Sequence, residues 1–221
     1  VKTETNKALG FTKAAHIIAA YDNNFSRMLR LKTEVYYQYI YNAPVKNYPD
    51  YFSALNLDAD FNSPNVSNLS SNGTGYNYGL ELTLEKFYGK GYYLLFTGSV
   101  FESKYRGSDQ ILRNTAFNGN YVLNALGGKE FKLNQRHVIS FDLRGTYAGG
   151  KRYTPIDLEA SIASGEEVRD NSRAFEMQYP YYFRLDVKPG YRYSTKKVTH
   201  ECSIDIQNVT QHLNVFQETY D

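Results

Sequence analysis

Several residue groupings in the 221-residue chain have the types that do chemistry, and each falls short of a site on its spacing. Gly145 to Arg152 (GTYAGGKR) approximates the phosphate-binding pattern G-x-x-x-x-G-K-[ST], but Arg152 stands where a Ser or Thr would hold magnesium, and no helix is expected to follow. Asp58, Asp60 and Asn62 open like a calcium loop. Ser63 then replaces the Gly of the sharp turn and Leu69 the bidentate Glu. The histidines, His16, His137, His200 and His212, sit on separate strands or tails without ligand spacing. His137 and Ser140 are three apart on an expected strand and so point to opposite faces, which removes a hydrolase pair. Cys202 is the single cysteine, so no internal disulfide is available, and on an apolar face it reads as a small hydrophobe. Asn65-Val-Ser67, Asn68-Leu-Ser70, Asn72-Gly-Thr74 and Asn208-Val-Thr210 have the form of glycosylation sequons but read only as polar loop. No catalytic residue, metal site or cofactor is expected.

Binding groups are better represented. Glu81, Glu85, Asp142, Arg144, Arg184 and Asp186, with Lys188 and Arg192, alternate with apolar residues and therefore share a polar sheet face. They read either as ligand contacts or as salt bridges between neighbouring strands. Lys151, Arg152 and Tyr153 open one long connection, and Tyr48, Tyr51 and Phe52 lie in another. Cations beside aromatics at a rigid rim suit an anionic or sugar-like ligand, although loop residues also pack on one another.

The elements that must position these groups are strands. Apolar runs at helical spacing are nearly absent, whereas period-two alternation is nearly everywhere. In His137 to Tyr147, Ile139, Phe141, Leu143 and Tyr147 oppose Ser140, Asp142, Arg144 and Thr146. The same split recurs in Tyr76 to Glu85, Phe183 to Tyr193 and Val198 to Gln207. Ala14 to Asp22, Arg30 to Tyr41, Gly91 to Phe101 and Asn120 to Leu133 bring the expectation to about eight strands. Tight polar turns alternate along the chain with the long connections Asn42 to Thr74, Lys104 to Gly119 and Ala148 to Tyr181. An up-and-down antiparallel sheet with its turns at one rim and its loops at the other gives that alternation; Greek-key sandwiches have no reason to.

Composition agrees. There are 22 Tyr and 13 Phe but no Trp, and tyrosines crowd near expected strand ends, as in an aromatic girdle at a membrane boundary. Lys plus Arg (25) against Asp plus Glu (23) leaves a net charge of +2, which argues against a nucleic-acid partner. No apolar run approaches the roughly 18 residues of a membrane helix, whereas a barrel strand needs only about 9 to 11. Val1 to Gly10 has neither the apolar core nor the cleavage site of a signal peptide, so the chain is expected to derive from something longer.

Gly75 to Gly107 (GYNYGLELTLEKFYGKGYYLLFTGSVFESKYRG), Arg113 to Phe131 (RNTAFNGNYVLNALGGKEF), Gly145 to Asp157 (GTYAGGKRYTPID) and Phe183 to Thr210 resemble the C-terminal barrel portion of TonB-dependent outer-membrane receptors of the Bacteroidetes type. The resemblance runs from about Ala14 onward. It implies an all-β fold across residues 1–221: an antiparallel up-and-down transmembrane β-barrel segment, about eight strands of a 22-stranded barrel. It also implies a bacterial outer-membrane location, surrounding lipid as a partner, and import of a metal chelate, vitamin or glycan. Coupling to TonB and a plug domain would come through an N-terminal part; neither a plug nor a TonB box is seen in this sequence, and the aromatic-terminated last strand is missing as well. Two further readings stand beside this one: a self-contained small outer-membrane barrel with a structural or adhesive role, and an all-β soluble module that stacks sugars on tyrosines.

Overall fold

The computed structural model describes residues 6–57 and 66–220. The fold is all-β, dominated by one large antiparallel sheet that is not closed into a barrel. Its strands are β1 (Lys13–Ser26), β2 (Leu29–Lys46), β3 (Leu69–Gly89), β4 (Tyr92–Arg106), the short β5 (Leu112–Asn114), β6 (Tyr121–Lys132), β7 (His137–Ala148), β10 (Tyr182–Ser194) and β11 (Thr199–Ser203). Between β7 and β10 lie β8 (Arg152–Tyr153) and β9 (Met177–Gln178), which form a separate two-stranded ribbon, and the helix α1 (Leu158–Ser164). Spatial order in the main sheet is β1-β2-β3-β4-β6-β7-β10-β11, with β5 pairing on β4. All eight expected strands are therefore present, in chain order, as a meander. No helix among the described residues is long and apolar enough to cross a membrane.

Antiparallel register keeps residue parity continuous across the sheet. Ile17 pairs with Tyr37, Tyr37 with Tyr78, Val35 with Leu80, Leu80 with Val100, Gly127 with Leu143 and Leu143 with Val187, so one face collects apolar side chains from every long strand. Many of its members are exposed, Val35 at 55% and Phe141 at 43%. On the other face stand Glu34 opposite Glu81, Asn124 opposite Thr146, and Asp186 opposite Arg144. Register shifts fall near strand ends, at Asn24/Ser26, Ile40/Ala43/Val45 and Lys86/Gly89. There they leave the central alternation untouched; a one-residue slip in mid-strand would exchange the faces.

Short and long connections alternate as the sequence requires. The β3–β4 turn is Lys90-Gly91, with φ of 54° and 80°, the left-handed pair of a two-residue turn that continues the strand twist. Several boundaries differ from the sequence reading. β2 and β3 run on to Lys46 and back to Leu69, shortening the first long connection, and regular pairing in the last strand ends at Ser203, with Ile206 adding one bridge to Val187. The seven residues of α1 are too few for a periodic signal. Asp157 caps it by accepting from the Ala160 N–H, and Gly165 ends it at φ 72°.

Burial is concentrated at the long-loop rim rather than in the sheet. Of the described residues that are buried, Ala43, Val45, Ser53, Tyr105, Thr115, Ala116, Asn118, Ser161 and Ala174 all lie there, and Asp186 on β10 is the exception among side chains beyond glycine. Close backbone crossings help to make this core: a Cβ on Gly149 would overlap the carbonyl oxygen of Gly119. Gly149→Ala is expected to cost about 1 to 3 kcal/mol. Gly145→Ala, whose Cβ would meet only Leu185 Cδ1 at 3.8 Å, should cost clearly less; denaturant midpoints of the two variants check this.

Candidate functional site

The long-loop rim is built outward from Tyr105 and Asn118, both fully buried. Tyr105 reaches from β4 to donate its hydroxyl to the Tyr51 carbonyl at 2.9 Å, and Phe175 meets its ring edge-on at 6.1 Å. Asn118 accepts the Ser103 N–H and donates to Glu102 and Asn114, so one buried amide ties the β4–β6 connection to β4. Burying such an amide is tolerable because its polar atoms are bonded.

A cavity of about 290 Å³ opens among these loops. Tyr51 enters from the β2–β3 connection, Phe117 from β4–β6, Lys151, Arg152 and Tyr153 from the start of β7–β10, and Phe216 from the C-terminal segment. Four of the six loop residues singled out from sequence are thus brought together. Tyr48 and Phe52 lie apart from this cavity, flanking the Lys46 ammonium at 5.9 and 5.8 Å from their ring centroids. Tyr153 stacks on Tyr179 with centroids 4.1 Å apart and planes within 11°, an alignment set by the β8–β9 ribbon, where Arg152 pairs with Gln178. The Lys151 ammonium lies 5.4 Å from the Phe216 ring centroid.

Arg152 is held firmly rather than left to a ligand. It donates to the Asn118 and Glu176 carbonyls and to Asn120 Oδ1. Arg169, missed in the sequence, serves as the clasp of the site: it donates to Glu167 Oε1 at 2.8 Å and to the carbonyls of Thr154 and Glu218. Glu167 also accepts the Tyr220 N–H, and Tyr179 accepts the Glu218 N–H through its hydroxyl oxygen, so the C-terminal segment is strapped across the cavity. Burial opposes ionisation of Glu167, yet the Arg169 hydrogen bond, the Tyr220 N–H and the guanidinium charge together hold its carboxyl below the usual range. Burial, then the charge of Glu218, pushes the Tyr153 phenol up. Residues 167, 169, 175 and 216 carry no sequence signal beyond being polar or aromatic loop, and Tyr179, one of the tyrosines expected in the girdle, lines this cavity instead; contacts far apart in the chain bring them together.

The polar sheet face holds the other candidates. Asp186 accepts from Arg144 Nη2 at 2.5 Å, from Arg184 Nε at 2.7 Å and from the Asn208 N–H, anchoring the chain beyond β11. Asp142 accepts from the Tyr93 hydroxyl at 2.8 Å. These two carboxylates and Arg144 line a 240 Å³ cavity, and Glu81 lines another of about 280 Å³ with His16 and Gln38. Glu85 lies 3.8 Å from Arg30. Cross-strand ion pairs thus account for much of this set.

The tyrosine reading needs correction in part. Tyr37, Tyr39, Tyr76, Tyr78, Tyr92, Tyr147, Tyr191 and Tyr193 share the apolar face, but strand parity turns Tyr36 and Tyr93 to the polar face, and the register shift between Lys86 and Gly89 turns Tyr88 there, where it donates to Glu130. The histidines are also less scattered than their spacing suggests: Tyr193 stacks with His137 at 4.7 Å and with His200 at 6.4 Å. No metal-holding group of His, Cys, Asp and Glu occurs among the described residues, and the calcium-like Asp58, Asp60 and Asn62 lie outside them. Comparison with protein-family models, with curated proteins and with solved structures finds no match for this chain.

Arg169→Gln is expected to speed hydrogen exchange at the Tyr220 amide about tenfold, the loss of one charge-assisted tie, with strand amides unchanged. Because Glu167 has a depressed pKa in the fold, its tie is present above the ordinary carboxylate range and is lost as pH falls through the lower folded value. Tyr220 exchange, corrected for its intrinsic pH dependence, should therefore accelerate on acidification, and Glu167→Gln should abolish that step.

Proposed function

We propose that the chain is a wall segment of a transmembrane β-barrel in a bacterial outer membrane, of the TonB-dependent receptor kind it resembles. In this reading the long-loop rim faces outward, the tight turns face the periplasm, and the parent protein imports a scarce nutrient. One observation carries the membrane part. Among the described residues, the apolar face has no charged side chain between Lys86 and Lys129 near the turns and Lys13, Glu102 and Lys104 near the loops. Tyr92, which pairs with Lys129, and Glu102 bound this band on β4. The chain between them rises about 33 Å at about 3.3 Å per residue, and a strand tilt of about 40° makes that about 25 Å of height, the apolar thickness a barrel presents to lipid.

Two further features support the reading. Among the described residues, the outer edges of β1 and β11 have no neighbour in the sheet, and unpaired backbone is too costly in hydrocarbon, so in this reading further strands complete the wall. The loop cavity, lined by Tyr51, Tyr153, Tyr179, Phe216 and Lys151 and held in shape by Arg169, brings aromatic rings and positive charge to a small molecule or glycan on the outer side. TonB and the plug domain would act through the N-terminal part, and the polar face, with Asp142, Arg144, Arg184 and Asp186, would line the lumen.

Phe141→Arg is expected to cost about 2 to 4 kcal/mol of folding free energy in lipid, and Ser140→Arg much less, because neighbouring positions face opposite media. Equal costs would refute the assigned facing. A chain that is folded and monomeric in plain buffer, without detergent or lipid, would overturn the membrane reading in favour of a soluble module.

A further inference from the structure

The tight turns form a surface of one sign. Arg27 lies in the β1–β2 turn, Lys90 in β3–β4, Arg136 in β6–β7, and Lys196 and Lys197 in β10–β11; none of these turns contains an acidic residue. All five side chains are exposed, and none makes an ion pair with a described residue. The opposite rim is built differently. There Arg113 is paired with Asp109 and Arg169 with Glu167 and Glu218.

Two more cations extend the basic surface onto the apolar face. Lys86 and Lys129 stand on β3 and β6 with β4 between them, where Tyr92 pairs directly with Lys129. Their stems lie on the apolar face and their ammonium groups turn toward the rim, Lys86 Nζ at 4.5 Å from the Tyr92 ring centroid and Lys129 Nζ at 5.0 Å from that of Phe131. Such a surface joins two chemistries at one line: unpaired positive charge in the turns, and an uncharged apolar band beginning where Lys86 and Lys129 stand. A soluble anion would use only the first. A molecule with an anionic head and a long apolar tail uses both.

We propose that the turn rim is a binding surface for anionic phospholipid headgroups, their phosphates held by Lys86, Lys129 and the turn cations and their acyl chains lying along the apolar band. The inference rests on the membrane reading above and adds a lipid preference that reading does not contain. Each Lys or Arg near an anionic surface strengthens attraction about fivefold, and salt screens it.

The test places the full chain in nanodiscs of phosphatidylcholine and phosphatidylglycerol in equal parts and identifies the lipids it retains on release by native mass spectrometry. Retained phosphatidylglycerol should exceed phosphatidylcholine at least fivefold and approach the bulk ratio as salt is raised. Lys86→Gln/Lys129→Gln and Arg136→Gln/Lys196→Gln/Lys197→Gln should each lose most of that enrichment, whereas Lys104→Gln/Arg106→Gln at the other rim should keep it. Retention at the bulk ratio by a chain that inserts normally would overturn the lipid preference and leave the membrane reading standing. Equal loss in the control variant, or full displacement by inorganic phosphate, would overturn it too, assigning the effect to net charge or to the anion alone. A chain that enters neither lipid would overturn both readings.

Discussion

Every long strand of this protein has one face for apolar surroundings and one for polar ones, and antiparallel register must keep those faces aligned from β1 to β11. The backbone ladder alone does not demand this. Side chains alternate with a period of two, so a single-residue slip at any interface would send apolar residues into the charged face and strand carboxylates among Leu and Phe. The bulges at Asn24/Ser26, Ile40/Ala43 and Lys86/Gly89 fall outside the stretch where such a slip would be costly. Polar cross-strand contacts then lock the register from the other side, through Arg30 with Asp22, Asn124 with Thr146, Tyr93 with Asp142 and Arg144 with Asp186.

Because the sheet leaves its apolar face uncovered, the close packing usual in a globular interior has moved to one end. Tyr105, Asn118, Ala116 and Ala174 bury themselves among loops, and glycines at 119, 149 and 150 let those loops cross at backbone distance. This explains how long connections of polar composition hold a defined cavity. Their order comes from buried hydrogen bonds of Asn118 and Arg152 and from the Arg169 clasp, rather than from regular secondary structure. The turn rim is the reverse case: four tight turns with little buried, carrying cations the fold does not neutralise. Two rims so unlike each other suit two different aqueous sides, and they give the proposed wall a direction.

Much of the architecture is legible in the sequence. Strand positions, meander order and the segregation of turns from loops followed from alternation and from where Gly, Asn and Pro cluster. Grouping of Glu81, Glu85, Asp142, Arg144, Arg184 and Asp186 on one face followed from parity. Of the loop candidates, Lys151, Arg152, Tyr153 and Tyr51 converge, while Tyr48 and Phe52 make their own cluster around Lys46. Arg169, Glu167 and Phe216 carry no mark in the sequence because no local pattern signals a residue whose partner lies dozens of positions away, and Tyr179, which counts there as a strand-end tyrosine, lines the loop cavity instead. Nearness to a strand end does not by itself make a tyrosine part of a girdle: alternation within the strand sends Tyr36 and Tyr93 to the polar face, and only the irregularity between Lys86 and Gly89, which no local pattern marks, sends Tyr88 there.

The sequence by itself determined which backbone became strand and which side chains shared a face, since both depend on alternation within a few residues. It also determined the two kinds of connection, because turn chemistry is local. Only the tertiary structure decided which loops meet, that Arg152 is spent on carbonyls while Arg169 clasps the C-terminal segment, and that Lys86 and Lys129 border one uncharged band. Those outcomes depend on register summed across several strand pairs and on loop closure between distant segments, and neither quantity exists until the sheet has formed.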